Sequence, residues 1–284
     1  MKIDGKLIAS QIKTDLKEKI TSFRQKNIIP HLAVILIGND PSSETYVRQK
    51  LKFGEEIGGK VSLEVGPRTR SDLVRTVNKL NRDTSVHGVI IQRPLPIDIS
   101  KEELDRIVIP AKDVDGFRPN SPFTPPIANA VIKTLEYVEK DLCNNPNSPL
   151  KQNYCEPFFL WLKNQKILVI GRGETAGKPI TEILQKLGAQ ITVAHSKTTN
   201  FEELCLASNI IISCVGRPNI VRHQFVTNKT VLIGVGLHQE NGRLRTDYNQ
   251  EEIADKVAYY TPVPGGVGPV NVACLFENLL NAIN

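Results

Sequence analysis

The sequence predicts a two-domain α/β protein, and three observations carry that reading. A continuous apolar run at 32–37 and largely apolar stretches at 86–91, 166–170, 210–215 and 231–235 suit strands buried on both faces of parallel sheets. Stretches with helical apolar spacing alternate with them, the order expected of helices covering such sheets. With 284 residues, 40% of them hydrophobic, the chain is long enough for two cores of about 100 to 150 residues each.

Taken in order, Ile8, Ile12, Leu16 and Ile20 repeat every four positions, which predicts an amphipathic helix ending near Asn27. Pro30 opens the first strand, 32–37, and Gly38-Asn39-Asp40-Pro41 stops it. A helix over 43–57 follows, with Ser42 or Ser43 as its expected N-cap and Gly58-Gly59 as its end. On that helix Tyr46 and Lys50 are four residues apart and share a face, so a phenol and an amine project together. A surface helix with a solvated lysine has the same spacing. Val61-Ser62-Leu63-Glu64-Val65 alternates as a half-buried strand, and Ser71 is the expected cap of a helix carrying Leu73, Val74, Val77 and Leu80. Strand 86–91 places Gln92 at its carboxyl end, where ligands gather in open α/β sheets; a packing or capping role also fits a single glutamine.

Lys112-Asp113-Val114-Asp115-Gly116 lies in a turn after a short helix, and by themselves its two acids suggest turn chemistry. A helical pattern through Ile127, Ala130, Val131 and Leu135 runs from Pro125 to about Leu142. Asn144-Asn145-Pro146-Asn147-Ser148-Pro149 reads as a linker or exposed loop, and Phe158, Phe159, Leu160 and Trp161 beyond it require an apolar surface.

The second half opens with strand 166–170, running into Gly171-Arg172-Gly173-Glu174-Thr175-Ala176-Gly177 and a helix to about Leu187. Strand, glycine turn and helix in that order form the first step of a Rossmann-like dinucleotide-binding domain, although the third glycine comes one residue later than in Gly-x-Gly-x-x-Gly. The glycines allow a tight turn and let a phosphate approach N–H groups at the helix start. After strand 190–194, where an acid would meet a ribose 2′-hydroxyl, the chain has His195-Ser196-Lys197. With Arg172 nearby, that composition favours a 2′-phosphate, and so NADP, over a merely solvated basic turn. Asn241-Gly242 marks a hairpin turn. Thr261-Pro262-Val263-Pro264-Gly265-Gly266-Val267-Gly268-Pro269-Val270 is expected to be irregular, either offering free N–H and C=O groups to a flat ligand or serving as a structural loop. A last helix carries Val272, Leu275, Leu279 and Ile283 to Asn284.

Lysines and arginines are spread without a basic block or interleaved aromatic residues, so the net charge of +6 points to small anionic ligands rather than nucleic acid. No apolar run approaches the roughly 20 residues of a membrane span, and the first six residues lack a signal peptide's apolar stretch, so no membrane association and a cytoplasmic location are expected. The five cysteines are scattered, without metal-ligand spacing; free thiols and no metal are expected, although Cys143 and Cys155 flank one loop and could pair under oxidation.

Together these stretches resemble the bifunctional methylenetetrahydrofolate dehydrogenase/methenyltetrahydrofolate cyclohydrolase family. The resemblance spans nearly the whole chain through Gly38-x-x-Pro41-x-Ser43-x-x-Tyr46-Val47-x-x-Lys50, Val86-His87-Gly88-x-x-x-Gln92-x-Pro94-Leu95-Pro96, Lys112-Asp113-Val114-Asp115-Gly116, Gly171-Arg172-Gly173-x-x-x-Gly177-x-Pro179, His195-Ser196-x-Thr198 and the stretch from Thr261 to Pro269. It implies an amino-terminal catalytic, folate-binding domain over 1–143, to which 268–284 returns, and an NADP-binding domain over 144–267, facing it across a cleft. A homodimer built through the NADP domains is implied as well. The implied reactions are oxidation of 5,10-methylenetetrahydrofolate by hydride transfer to NADP, then hydrolysis of the methenyl cation to 10-formyltetrahydrofolate. On the matching positions, Lys50 becomes the acid/base or polarising residue of hydrolysis, Gln92 the residue that positions it, Tyr46 a stacking partner near the folate and Asp115 the pterin anchor. Arg172 and Ser196 would hold the 2′-phosphate, with Gly171, Gly173, Gly177, His195 and Lys197 completing the cofactor loops and Pro262, Gly265 and Gly266 bordering the substrate.

The chain departs from the family pattern at Phe123, where cysteine is usual, at Arg93, which interrupts the usual Gln-Leu-Pro, and at Val270-Asn271, in place of Met-Thr. The segment 117–126 is shorter than usual and the loop 142–156 longer. Alternatives are therefore a dehydrogenase with weakened or absent hydrolysis, or a non-catalytic NADP-binding regulator.

Overall fold

The computed structural model describes residues 1–151 and 156–283. In chain order the elements are α1 (Gly5–Gln25), β1 (His31–Leu36), α2 (Pro41–Ile57), β2 (Lys60–Val65), α3 (Arg70–Arg82), β3 (Gly88–Ile91), α4 (Lys101–Ile107), α5 (Pro126–Asn144), α6 (Phe158–Lys163), β4 (Lys166–Ile170), α7 (Gly177–Lys186), β5 (Gln190–Ala194), α8 (Phe201–Leu206), β6 (Ile210–Ser213), β7 (Val231–Gly234), β8 (Leu237–Glu240), β9 (Arg243–Thr246), α9 (Gln250–Ile253), β10 (Tyr259–Tyr260) and α10 (Val267–Asn281). The chain divides into two compact units, one of residues 10–126 and 272–284, the other of residues 1–9 and 127–271.

The first unit holds a three-stranded sheet in the order β2-β1-β3, parallel throughout. Every residue of β1 is buried, as a central strand covered on both faces requires. On one face Ala33, Ile35 and Ile37 pack with Leu73, Val77 and Leu80 of α3 and with Val89, Ile91 and Leu104. Elsewhere in the unit α10 closes on α2: Phe276 lies 5.2 Å from Phe53, and a Cβ at Gly54 would come within 2.3 Å of Val61 and 3.1 Å of Phe276. Glycine is what lets the helix approach that closely.

The second unit holds a five-stranded parallel sheet in the order β10-β7-β6-β4-β5. Since β5 and β6 flank β4 on opposite sides, the strand order reverses at β4, and the carboxyl ends of β4 and β6 are where open α/β sheets form their ligand crevice. Leu168, Ile170, Ile211 and Leu232 form the core with Cys205, Tyr248 and Ile253. Asn241 and Gly242 join β8 to β9 with φ of 51° and 73°, the left-handed pair of a tight hairpin. Among the described residues no helix is long and apolar enough to cross a membrane.

Several expectations are corrected. α2 begins at Pro41, and its N-cap is Asp40, whose carboxylate accepts from Ser43 N at 2.8 Å, in place of the expected Ser42 or Ser43. Proline needs no hydrogen-bond partner at the first helical position, so the helix reaches back two residues. α3 likewise is capped by Thr69, which accepts from Asp72 N at 3.1 Å, instead of Ser71. The loop around Asn144–Pro149 is not wholly exposed: Ser148 is buried, with its Oγ 2.5 Å from Tyr259 Oη. Trp161 finds the apolar surface required of it, whereas Phe159 and Leu160 remain exposed. The proline-glycine stretch is irregular only to Gly266, since α10 starts at Val267. Cys205 and Cys214 carry free thiols and Cys274 is buried, but Cys143 is disulfide-bonded, against the expectation of free thiols; Cys155, the partner considered for it, lies outside the described residues.

Candidate active site

In the first unit, α2 carries Tyr46 and, one turn later, Lys50, while β3 delivers Gln92 just past its last paired residue. Gln92 N still donates to Ile35 O at 2.9 Å, so its backbone is held by the sheet while its side chain is free to leave it. Lys50 Nζ donates to Gln92 Oε1 at 2.7 Å. Gln92 Nε2 donates to Arg93 O at 3.0 Å, which fixes the amide so that its oxygen faces the amine. Burial lowers the Lys50 pKa below the usual lysine value, and the Asp115 carboxylate partly opposes this. Burial raises the Asp115 pKa, against the pull of Lys50 and Arg93. Tyr46 is pushed up as well, by loss of water around its phenol. Lys50, Gln92 and Asp115, from three separate parts of the unit, thus meet at one locus.

The acidic turn is built to hold its shape. Gly116 has φ of 70°, and a Cβ there would come 2.8 Å from Phe123 O and Pro125 N, so the close return of the chain requires glycine. Phe123 contributes its backbone to this packing. Asp113 is buried and accepts from Arg118 N at 3.0 Å; desolvation raises its pKa to about 6. Asn278 of α10 donates from one Nδ2 to Val114 O at 2.9 Å and to Thr124 O at 2.8 Å, tying both strands of the turn together. Arg93 pairs with Asp105 at 2.5 Å and its guanidinium lies 4.5 Å from the centre of the Phe117 ring. No pattern in the sequence pointed to Asn278 or Asp105; a polar residue inside an apolar helix is the one available signal for Asn278.

In the second unit, a Cβ on Gly177 would sit 2.1 Å from Gly171 O, so the first turn of α7 lies directly against the glycine loop. Gly171 has φ of 97°, and no atom lies within 4 Å of the position a Cβ on Gly173 would take. Open space over Gly173 and a close helix start at Gly177 fit a phosphate-bearing dinucleotide. Arg172 leaves β4 and Ser196 leaves β5 from the paired ends Ile170 and Ala194, both into exposed positions, with Lys197 also exposed. His195 is engaged in its own turn: its N donates to Thr198 Oγ1 at 3.0 Å and its Nδ1 accepts from Lys197 N at 3.2 Å.

The stretch containing Pro262, Gly265 and Gly266 offers fewer free backbone groups than its composition suggested. Val263 N and O are both held by the Gln250 amide, at 2.8 and 2.9 Å; Thr261 O accepts from Tyr248 Oη at 2.6 Å, and Gly265 O accepts from Gly5 N at 2.9 Å. Backbone polar groups turned away from water must find partners, and an irregular loop finds them in side chains.

Two family models match the chain: tetrahydrofolate dehydrogenase/cyclohydrolase, catalytic domain, over residues 3–115, and tetrahydrofolate dehydrogenase/cyclohydrolase, NAD(P)-binding domain, over residues 157–284. The bifunctional protein FolD of Campylobacter jejuni is 35% identical over 293 residues, spanning 99% of this chain and 97% of its own. A crystal structure of bifunctional FolD methylenetetrahydrofolate dehydrogenase/cyclohydrolase from Campylobacter jejuni aligns with a TM-score of 0.86 at 34% identity, covering 99% of this chain and 98% of that one. The Trypanosoma brucei dehydrogenase-cyclohydrolase, crystallised with NADP cofactor and inhibitor, also aligns with a TM-score of 0.86, at 29% identity and over 99% and 96% of the two chains.

Proposed function

Because this chain belongs to the tetrahydrofolate dehydrogenase/cyclohydrolase family, we propose that it oxidises 5,10-methylenetetrahydrofolate with NADP and hydrolyses the resulting methenyl compound to 10-formyltetrahydrofolate. The observation that carries the hydrolytic half is the 2.7 Å bond between Lys50 and Gln92 in a poorly hydrated locus. A free lysine amine, with a pKa of about 10.4, is a poor base near neutrality. Burial moves Lys50 downward, and a cationic methenyl group beside it would move it further. Gln92 holds the amine by one of its protons, so the nitrogen is aimed when water attacks the methenyl carbon. Lys50 then polarises that water or takes its proton. Asp115 anchors the pterin, and Tyr46 borders the folate.

NADP, when bound, supplies the hydride acceptor. Gly171, Gly173 and Gly177 with the start of α7 would take its pyrophosphate, and Arg172, Ser196 and Lys197 its 2′-phosphate, with His195 shaping the second turn. Hydride transfer asks mainly for placement, with the reacting carbons roughly 3 to 3.5 Å apart. Pro262, Gly265 and Gly266 border the substrate in this reading. The domains are drawn as 1–143 with 268–284, for folate, and 144–267, for NADP. A homodimer forms through the NADP-binding half, in keeping with the exposed apolar side chains Val193, on edge strand β5, and Leu187 and Leu206. We place the enzyme in the cytoplasm, where a buried thiol such as that of Cys205 stays reduced.

The test measures the two reactions separately. The parent reduces NADP with methylenetetrahydrofolate and hydrolyses methenyltetrahydrofolate. Lys50→Met loses hydrolysis by about a hundredfold or more, the scale of a lost general base, and keeps part of its hydride transfer. A parent protein without hydrolysis sinks the bifunctional reading.

A further inference from the structure

Asp247 follows β9 and is fully buried, as is Ser213 at the end of β6. Its carboxylate takes four donors. Ser213 Oγ and Val215 N donate to Oδ2 at 2.6 and 2.9 Å, and Gly216 N and Arg217 N donate to Oδ1 at 2.7 and 2.9 Å. All four acceptor sites of the two oxygens are thereby filled. The main-chain oxygen of Asp247 adds two more bonds, from Ile220 N at 2.7 Å and Val221 N at 3.2 Å. One residue, about 30 positions distant in sequence, therefore holds the segment 213–221 by six hydrogen bonds. The surroundings are shaped around it: a Cβ on Gly236 would lie 2.4 Å from both Asp247 Oδ2 and Gly216 N, and Gly216 itself has φ of 73°.

The segment so held is the wall of the crevice at the carboxyl ends of β4 and β6. Cys214 N donates to Ile170 O at 2.8 Å, and a Cβ on Gly171 would lie 3.0 Å from Cys214 O and 3.4 Å from the Val215 side chain. The glycine loop thus rests on the backbone that Asp247 fixes. In a parallel sheet a dinucleotide binds in this crevice, and small displacements of its walls are felt in placement of the ligand. We propose that Asp247 is a positioning residue for NADP: it touches no ligand, but sets the 214–217 turn on which the Gly171–Gly177 loop rests.

This inference rests on the reading of the chain as an NADP enzyme, and the experiment separates the two. Asp247→Asn keeps the shape of the side chain but replaces one acceptor oxygen by a donor. Ser213 can rotate to accept from the new amide, whereas Val215 N–H cannot, so the turn must shift. Calorimetric titration with NADP is expected to show affinity weakened about tenfold, as for loss of a hydrogen bond to a charged group. In steady state the KM for NADP rises by a similar factor while the KM for methenyltetrahydrofolate in hydrolysis stays put. A purely structural role would instead lower thermal stability and all constants together. Ser213→Ala, which removes one donor and leaves three, is expected to weaken NADP binding by a smaller factor and serves if the first variant does not fold. Parent-like NADP affinity in either folded variant overturns the proposal and leaves the functional reading intact. A parent that binds no NADP overturns both.

Discussion

Asp113 and Lys50 show how burial gives two ionisable residues of one unit different tasks. Lys50 has its amine pushed toward neutrality and a glutamine to aim it, while the buried Asp113 carboxyl, raised to about 6, is bound to Arg118 N and belongs to the turn. Its sign with pH follows directly. A carboxyl with a folded pKa above its unfolded one holds its proton more tightly when folded, so stability is present below about pH 4 and is lost as pH rises toward 6. At 1.36 kcal/mol per pKa unit the loss amounts to about 2 to 3 kcal/mol. Urea unfolding between pH 4 and pH 7 should therefore show the parent losing that much relative to Asp113→Asn. Parallel pH profiles for the two proteins would remove Asp113 as the source. The pairing of Tyr46 with Lys50 was legible because helical spacing is local. No spacing carries the Lys50–Gln92 bond, because it joins a helix to a strand end 42 residues away, and only the family resemblance paired the two.

At the level of elements, periodicity located the buried strands and the long helices, since an apolar stripe or run must face a core whatever the rest of the chain does. It failed at boundaries, where a single side chain decides: Asp40 and Thr69 took the caps expected of serines. The start of α10 at Val267 was hidden by the glycines and prolines around it, although proline is tolerated in a helix's first turn. This helix also carries a function that its apolar pattern did not reveal. Asn278→Ala would strip the donor from two carbonyls, Val114 O and Thr124 O, and unmet buried acceptors cost about 1 to 3 kcal/mol each. The expected outcome is a loss of about 2 to 4 kcal/mol in denaturant unfolding, with a raised KM for the folate because the Asp115 turn loosens. Unchanged stability and unchanged KM would show that the turn holds without it.

For the whole molecule, the strand order leaves β5 as an edge with Thr192 and Val193 exposed, and an unpaired apolar edge invites a second copy. Val193→Lys is expected to shift the protein from dimer toward monomer in sedimentation velocity while methenyltetrahydrofolate hydrolysis persists; a monomeric parent would remove the dimer from the reading. The sequence by itself determined the α/β class and the glycine loop, because these depend on local spacing and on a short motif whose chemistry is carried by residue type; Lys50, Gln92 and Asp115 were joined there only by the family resemblance. Tertiary structure alone decided that Gln92 meets Lys50, that Asn278 binds the acidic turn and that Asp247 holds the wall beside the glycine loop. Each of those contacts satisfies a buried polar group with a partner far away in the chain, and such a choice is made by the packing of elements rather than by any pattern within them.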